Sequence, residues 1–380
     1  MRILFFSPYF YPYISGITSS SKRILDYLKK NNYITVLTFP HNNKLRKSEN
    51  INKLNIIRIP FLFKISKGYI SPQSILYFIK ETGKTDLLIL NQSNFEGLFL
   101  ALIAKMFNKK IISIFHCQVF LSGNIFVKII NWFLNLSMKI QLHLSDKIVV
   151  YTKDYINSLP YFKKLVNKTL EILPPIEKSV IDKKYLNKLL KLKKNNNWIG
   201  FAGRISVEKG IEYLVQSINR LYISNKNIVL VFAGPYGKDV VGENIYYNKI
   251  VILLKEYKIN HIFLGNLTAE QLSVFYKLID VLVLPSINQT EAFGMVQAEA
   301  MIAGTPVIAS NLPGVRIPIR LTKMGIIVEP RNSDQISKAI EEILGNKNKY
   351  SNHDLVEKTK KIFDINKVYK FYDKLLTLIN

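Results

Sequence analysis

The sequence predicts an α/β protein made of two doubly wound domains. Three observations lead there. Short β-branched or apolar runs alternate with helical patterns along the whole chain, which is the mark of parallel strands joined by crossover helices. The 380 residues are 48% hydrophobic, enough for two separate cores. Pro174 and Pro175 then interrupt the alternation, and a lysine-rich stretch follows them.

In the first half, strands are expected at 3–7, 34–39, 55–60, 86–91, 111–115 and 147–152. The opening "MRILFFSPYFYP" has only a four-residue apolar run before Ser7 and Pro8, so it reads as a first strand and not as a signal peptide. Ligands of open α/β sheets bind outside the carboxyl ends of strands, and the unusual residues fall there. After the first strand, "SPYFYPYISGITSSSKRIL" places Ser15 and Gly16 ahead of an expected helix cap at Thr18 or Ser19. Gly16 would admit a substrate close to the backbone, and the plainer reading is a loop closed by an aromatic plug. His116 ends the fifth strand, where a lone histidine is more often a satisfied structural residue than a catalyst. Residues 124–144, "NIFVKIINWFLNLSMKIQLHL", put Lys128, Asn131, Asn135 and Lys139 on one side of a helix and aromatics on the other. This helix is expected to face the core, with a position on a membrane surface as the alternative.

The boundary is placed near residue 177, and the lysines of 183–194 are read as a solvated helix face. In the second half, strands are expected at 198–203, 228–234, 261–265, 280–286, 306–310 and 325–330, so each domain would hold six. "RISVEKG" follows the first of these. A guanidinium and an ammonium on one loop, Arg204 and Lys209, suit a diphosphate and its departure, whereas pairing of Arg204 with Glu208 is the bland alternative. The chain ends in "INKVYKFYDKLLTLIN", an amphipathic helix.

Composition excludes several classes. One cysteine, Cys117, rules out an internal disulfide and fits a reducing compartment. Five scattered histidines give no metal-ligand spacing, and neither G-x-G-x-x-G after a strand, nor G-x-S-x-G, nor G-x-x-x-x-G-K-[ST] occurs. No apolar stretch reaches the roughly 18 residues of a membrane span. The net charge of +26 favours an anionic partner: nucleic acid, a phospholipid surface or a phosphorylated substrate. No aromatic-interleaved RNA motif accompanies that charge, so nucleic acid is not the expected partner.

"EAFGMVQAEA" sets Glu291 and Glu299 eight positions apart. In a continuous helix that spacing spans about 12 Å, too far for the roughly 5–9.5 Å of a glycosidase pair. With Phe293 and Gly294 opening the helix, Glu291 falls in the loop before it, and the first-turn amides form an anion site between the two acids. Acid, amides, acid is an arrangement for a sugar, a diphosphate and a ribose.

Together, "FAGRISVEKGIEYLVQ", "LPSINQTEAFGMVQAEAMIAGTPVIAS" and "PGV" resemble the retaining glycosyltransferases of family 4, or group 1, which have the GT-B fold of two Rossmann-like domains facing across a cleft. The resemblance is specific over residues 197–345 and weaker in the first half. It implies that Arg204 and Lys209 hold the donor diphosphate, Glu299 the ribose and Glu291 the donor sugar, beside amides of Phe293, Gly294 and Met295. It places His116 near sugar and acceptor, and Gly16 near the phosphate, with Ser15 standing where the family often has another glycine. It also implies an acceptor-binding domain at 1–177, a nucleotide-sugar domain at 178–362, and a last helix (about 363–380) packed back on the first domain. "PPIE" at 174–177 points weakly to mannose.

The expected protein is therefore a metal-independent hexosyltransferase that takes a UDP- or GDP-sugar, without a cofactor, to a glycan or lipid-linked acceptor in cell-envelope glycan or glycoprotein synthesis. It would work in the cytoplasm, peripheral to an anionic inner membrane face. The competing expectations are a sugar-nucleotide epimerase or phosphorylase of the same fold and, remotely, a basic nucleic-acid-binding protein.

Overall fold

The computed structural model describes residues 1–380 except 43, 66–67, 121–124, 179, 223–226, 241 and 380, with Ile65 described by its backbone only. The chain forms two compact units, Met1–Pro175 with Ile365–Asn380, and Ile176–Asp364.

In the first unit the strands are β1 (Arg2–Phe6), β2 (Tyr33–Thr38), β3 (Ser48–Ile51), β4 (Leu54–Arg58), β5 (Phe63–Ile65), β6 (Gly68–Ile70), β7 (Leu87–Gln92), β8 (Lys110–Phe115), β9 (Lys147–Val150) and β10 (Thr169–Glu171). Its first helices are α1 (Gly16–Leu28), α2 (Ser74–Gly83), α3 (Gly97–Met106), α4 (Ile125–Leu144) and α5 (Lys153–Asn157). Eight of these strands make one sheet in the order β10-β9-β8-β7-β1-β2-β4-β3, and β5 and β6 form a separate hairpin. Strand alternation explains the layering. Ile3 and Phe5 of β1 enter a core with Ile24 and Leu25 of α1, while Leu4 and Phe6 enter another with Phe78 of α2 and Leu100 of α3.

The second unit contains β11 (Asn197–Ala202), β12 (Ile228–Ala233), β13 (His261–Gly265), β14 (Val281–Leu284), β15 (Val307–Ser310) and β16 (Gly325–Val328). Its helices are α6 (Lys183–Lys193), α7 (Ile211–Leu221), α8 (Asn244–Glu256), α9 (Ala269–Leu278), α10 (Met295–Ile302), α11 (Ile317–Thr322), α12 (Ser333–Gly345), α13 (Lys347–Tyr350) and α14 (His353–Ile362). The strands run parallel in the order β13-β12-β11-β14-β15-β16. The order reverses between β11 and β14, and in such a sheet the crevice at that point is the natural ligand site.

The final helix, α15 (Ile365–Ile379), belongs to the first unit. Val368, Tyr372, Leu375 and Leu376 share the core of Ile3 and Ile24. Tyr369 stacks on Tyr27 at 4.1 Å, and the Tyr27 hydroxyl donates to Asp373 at 2.6 Å.

Two expectations need correction. The first sheet exceeds six strands, because β3 and β10 flank it. β3 is the polar, half-exposed "SENI", paired antiparallel to β4 around a turn at Asn52 and Lys53, both with positive φ, and it lacks the apolar run used to find central strands. The helix at 124–144, whose Asn124 lies outside the described residues, does not face the core along its length: only Ser137, Met138, Gln141 and Leu142 of α4 are buried. The lysines of α6 line a solvated face except Lys193, which turns in to Asp280, and Leu189 is the buried residue of the helix.

At the other end of the second sheet, Asp280 holds three elements together. It accepts from Trp198 N at 2.8 Å and pairs with Lys193 at 2.9 Å and with Lys347. Burial pushes its carboxyl up, but the two lysines and the amide outweigh burial and hold it below the usual carboxylate range. Asp280→Ala leaves the buried Trp198 amide without its acceptor and takes the carboxylate away from Lys193 and Lys347. It should lower unfolding free energy by about 3 kcal/mol, read from urea denaturation.

Candidate active site

The loop after β11 is built by its glycines. Gly203 has φ +140° and donates its N–H to Ala233 O at 2.8 Å, and Ile205 N reaches Pro235 O at 3.1 Å, which locks the loop over the end of β12. Residues 207–209 make one tight turn that ends at Gly210, in the left-handed region at φ +60°. Arg204 Nη2 donates to Glu208 Oε1 at 3.0 Å, so the ion pair weighed as the bland alternative is present. Burial pushes the Glu208 carboxyl up, but the Ser206 hydroxyl and the charges of Arg204 and Lys209 outweigh it and hold it below its usual range.

The loop after β14 meets this one. Ile287 N donates to Glu208 O at 3.0 Å. A Cβ on Gly210 would stand 2.5 Å from both Pro285 O and Ile287 Cγ2, so only glycine permits this approach. The consequence is that Lys209 Nζ and the Glu291 carboxylate, 82 residues apart in sequence, form a direct ion pair with both side chains only 16% exposed. Asn288 shapes the intervening turn by accepting from Thr290 N at 3.1 Å and from the Thr290 hydroxyl.

Gly294 caps α10 at φ +73°, with Met295 as the first helical residue, so Glu291 lies in the preceding loop. The first amides of such a helix have no intrahelical acceptor and favour an anion. Phe293 contributes backbone here, for its ring is 2% exposed and lies against Phe363. Glu299 faces outward on α10, half-buried, and accepts from the Tyr276 hydroxyl at 2.9 Å. Two supporting residues escaped sequence reasoning. Tyr276 looks like a core aromatic in "VFYKL". Gln297 is fully buried and donates to Phe293 O and Val315 O, each at 2.9 Å, which ties the helix start to the "PGV" segment.

In the first unit the other expected residues do not form one cluster. Ser15, and not Thr18 or Ser19, is the N-cap of α1, because Thr18 completes a reciprocal box: Thr18 N donates to Ser15 Oγ at 3.2 Å and Ser15 N to Thr18 Oγ1 at 2.8 Å. Gly16 is then the exposed first residue of the helix. The stretch before it packs as an aromatic group, with Tyr9 5.3 Å from Tyr69 and 4.8 Å from Tyr13.

His116 is 4% exposed, and both ring nitrogens have protein partners. Nε2 lies 2.6 Å from Asn91 Oδ1, and Nδ1 lies 2.8 Å from the Tyr151 hydroxyl. Asn91 spends its amide N–H on Ser7 Oγ at 3.0 Å, so its oxygen accepts from Nε2–H, and Nδ1 accepts from Tyr151. The Tyr151 hydroxyl is left to accept from Ser20 of α1 at 2.9 Å. The chain Ser20, Tyr151, His116, Asn91, Ser7 thus fastens α1 to the carboxyl ends of β1, β7, β8 and β9. Burial pushes the imidazole down from 6.5 to about 3. The folded state therefore stays neutral where the unfolded chain takes up a proton, and this contribution is lost as pH falls from about 6.5 toward 3. Unfolding free energy should drop by up to about 1.4 kcal/mol per pH unit more in the wild type than in His116→Asn across that window, measured by urea titration at each pH.

With this geometry in view, residues 182–362 match the model of glycosyl transferases group 1. The second unit is a group 1 glycosyltransferase domain. Over 144 residues the chain is 36% identical to an uncharacterized glycosyltransferase of Methanocaldococcus jannaschii, covering 38% of this chain and 35% of that protein. Over 164 residues it is 35% identical to the lipopolysaccharide 1,2-N-acetylglucosaminetransferase of Salmonella typhimurium, covering 43% and 42%. The matches therefore span less than half of these relatives' own length. Among solved structures, sucrose-phosphate synthase from Thermosynechococcus elongatus aligns with TM-score 0.75 at 17% identity, over 100% of this chain and 98% of that one. Anabaena HepE in complex with UDP-glucose aligns with TM-score 0.78 at 16% identity, over 99% of each. The fold is GT-B. The glycosyltransferase domain of this chain thus contains both joined loops, from Arg204 to Glu299.

No group of three His, Cys, Asp or Glu side chains among the described residues is arranged to hold a metal ion.

Proposed function

We propose that the protein is a retaining glycosyltransferase of family 4 that transfers a hexose, mannose or glucose, from a UDP- or GDP-sugar to a glycan or lipid-linked acceptor at a membrane face in the cytoplasm. The single observation that carries this reading is the Lys209–Glu291 ion pair. It joins the "RISVEKG" and "EAFGMVQAEA" loops at the switch point of the second sheet. The UDP-glucose complex of the HepE neighbour supports the choice of a nucleotide sugar.

In this reading the second unit holds the donor and the first the acceptor. Arg204, Lys209 and the first amides of α10 receive the diphosphate, with Phe293, Gly294 and Met295 supplying backbone. Lys209 exchanges part of its pairing with Glu291 for phosphate, which frees the Glu291 carboxylate to accept from sugar hydroxyls. Glu299, oriented by Tyr276, accepts from the ribose. The bond from the anomeric carbon to the phosphate oxygen breaks as the acceptor hydroxyl attacks from the same face and gives its proton to the departing phosphate oxygen, so the anomeric configuration is kept. The two cations do the work of charge neutralisation, and no metal or cofactor is required. The His116 network fastens α1 to the strand ends of the first unit, to which this reading gives the acceptor.

A bound donor raises apparent stability by RT ln(1 + [L]/Kd), about 2.7 kcal/mol at a hundredfold excess over Kd. Thermal melts with UDP, GDP, UDP-glucose and GDP-mannose should show a rise of several degrees with one base and its sugar. Flat melts with all four at millimolar concentration would overturn the proposal.

A further inference from the structure

The first unit carries an apolar face with many side chains exposed among the described residues. Helices α2, α3 and α4 pack side by side on one layer of the sheet. Over its first three turns α4 is exposed nearly all round: Phe126, Ile129, Trp132 and Phe133 stand in solvent, Phe126 at 70% and Trp132 at 59%. Leu102 and Met106 of α3 and Leu76 of α2 are exposed alongside. Scattered exposed apolar side chains are ordinary, but so many on three adjacent helices mark a docking surface.

Charge selects the occupant. Residues 97–144 contain Lys105, Lys109, Lys110, Lys128 and Lys139 and no aspartate or glutamate. The neighbouring acids are already engaged: Glu96, just before α3, is buried and accepts from Tyr69 N at 2.8 Å, Glu81 of α2 is buried and pairs with Lys84 at 3.2 Å, and Asp146 pairs with Lys105 at 2.9 Å. A basic, acid-free and aromatic helix face fits the interface of an anionic bilayer, where rings enter the headgroup boundary and lysines reach phosphate. No described helix is long and apolar enough to cross a membrane, so this face lies on the bilayer and does not span it.

We infer that α4, flanked by α3 and α2, docks the protein on an anionic lipid surface through Phe126, Trp132 and Phe133. The inference rests on the proposed function only in setting the acceptor at a membrane. Its test exploits the two tryptophans, since Trp198 is fully buried and Trp132 is exposed. On titrating the full chain with vesicles of phosphatidylglycerol and phosphatidylcholine at low salt, the emission of Trp132 should move to the blue and the protein should sediment with the vesicles. Phosphatidylcholine alone should do neither. A Phe126→Ser/Trp132→Ser/Phe133→Ser variant should lose on the order of tenfold or more in vesicle binding. Its Trp198 emission and thermal melt should match those of the wild type, which separates lost docking from lost folding. Absence of both shift and sedimentation on anionic vesicles would overturn the inference. So would a dimer in sedimentation velocity that the triple variant abolishes, since a second copy would then be the occupant. Nucleotide binding is read separately by the melts above, so a chain that binds UDP or GDP but no vesicles loses this inference alone.

Discussion

Arg204→Ala and Lys209→Ala should each cut sugar transfer by about 10²–10³-fold, because in the proposed reaction each removes a preorganised cation from the place where charge develops on the leaving diphosphate. Their stabilities should differ. The Arg204 side chain is 40% exposed in its pair with Glu208, and its loss should change unfolding free energy by about 0.5 kcal/mol or less. Lys209 and Glu291 are each 16% exposed, so removing the lysine leaves a largely buried carboxylate alone, at a cost of about 1–3 kcal/mol. A Lys209→Met/Glu291→Gln variant should recover most of that stability and none of the turnover. Arg204→Lys should remain impaired, since an ammonium cannot reproduce the guanidinium fork. Wild-type turnover in purified, folded Arg204→Ala and Lys209→Ala would remove the role assigned to both residues.

The strand rhythm was legible because a central parallel strand is apolar on both faces, as "IVLVFA" of β12 is, and such runs stand out without any alignment. Edge strands are not so marked. β3 reads as turn and β10 as the approach to Pro174, since a half-solvated strand needs no apolar run. The α4 helix misled for a related reason: amphipathic periodicity reports that a helix has an apolar side, not what that side meets. In the second unit the residue types of the proposed site were legible, but not their assembly. Arg204, Lys209 and Glu291 stand out as charged residues in loops that follow strands, and Glu299 as an acid among the small apolar residues of α10. The Lys209–Glu291 contact depends on strand order, which places β14 beside β11, and local sequence does not encode that. Tyr276 and Gln297 escaped because a buried polar tip on an aromatic or amide residue looks like ordinary core until its acceptor is known. His116 illustrates the converse: its residue type suggests chemistry, while Asn91 and Tyr151 engage both ring nitrogens and Ser20 extends the chain from Tyr151, which makes it a fastening of the first unit.

Gly210→Val should abolish transfer more completely than either cation variant, although residue 210 bears no reactive group. Two costs coincide there. The backbone sits at φ +60°, which a β-branched residue adopts only with strain of about 1–2 kcal/mol or more. The new Cβ would also lie 2.5 Å from Pro285 O, a backbone atom that cannot swing aside as a side-chain tip can. Relief requires the 285–287 segment to retreat, and that segment leads directly to Glu291. The retreat pulls Glu291 from Lys209 and breaks the Ile287 N to Glu208 O hydrogen bond, so both loops lose their shared geometry. A displacement of about 1 Å at reacting groups can cost about 10²-fold by itself, and in the proposed site diphosphate and sugar contacts would be displaced together. Gly210→Ala should fall between wild type and Gly210→Val in both activity and melting temperature, having the same clash with less bulk. The decisive measurement is nucleotide affinity alongside turnover in the folded alanine variant. Loss of both points to displaced loops, whereas unchanged affinity and turnover would show that the close approach at Gly210 has no part in the site.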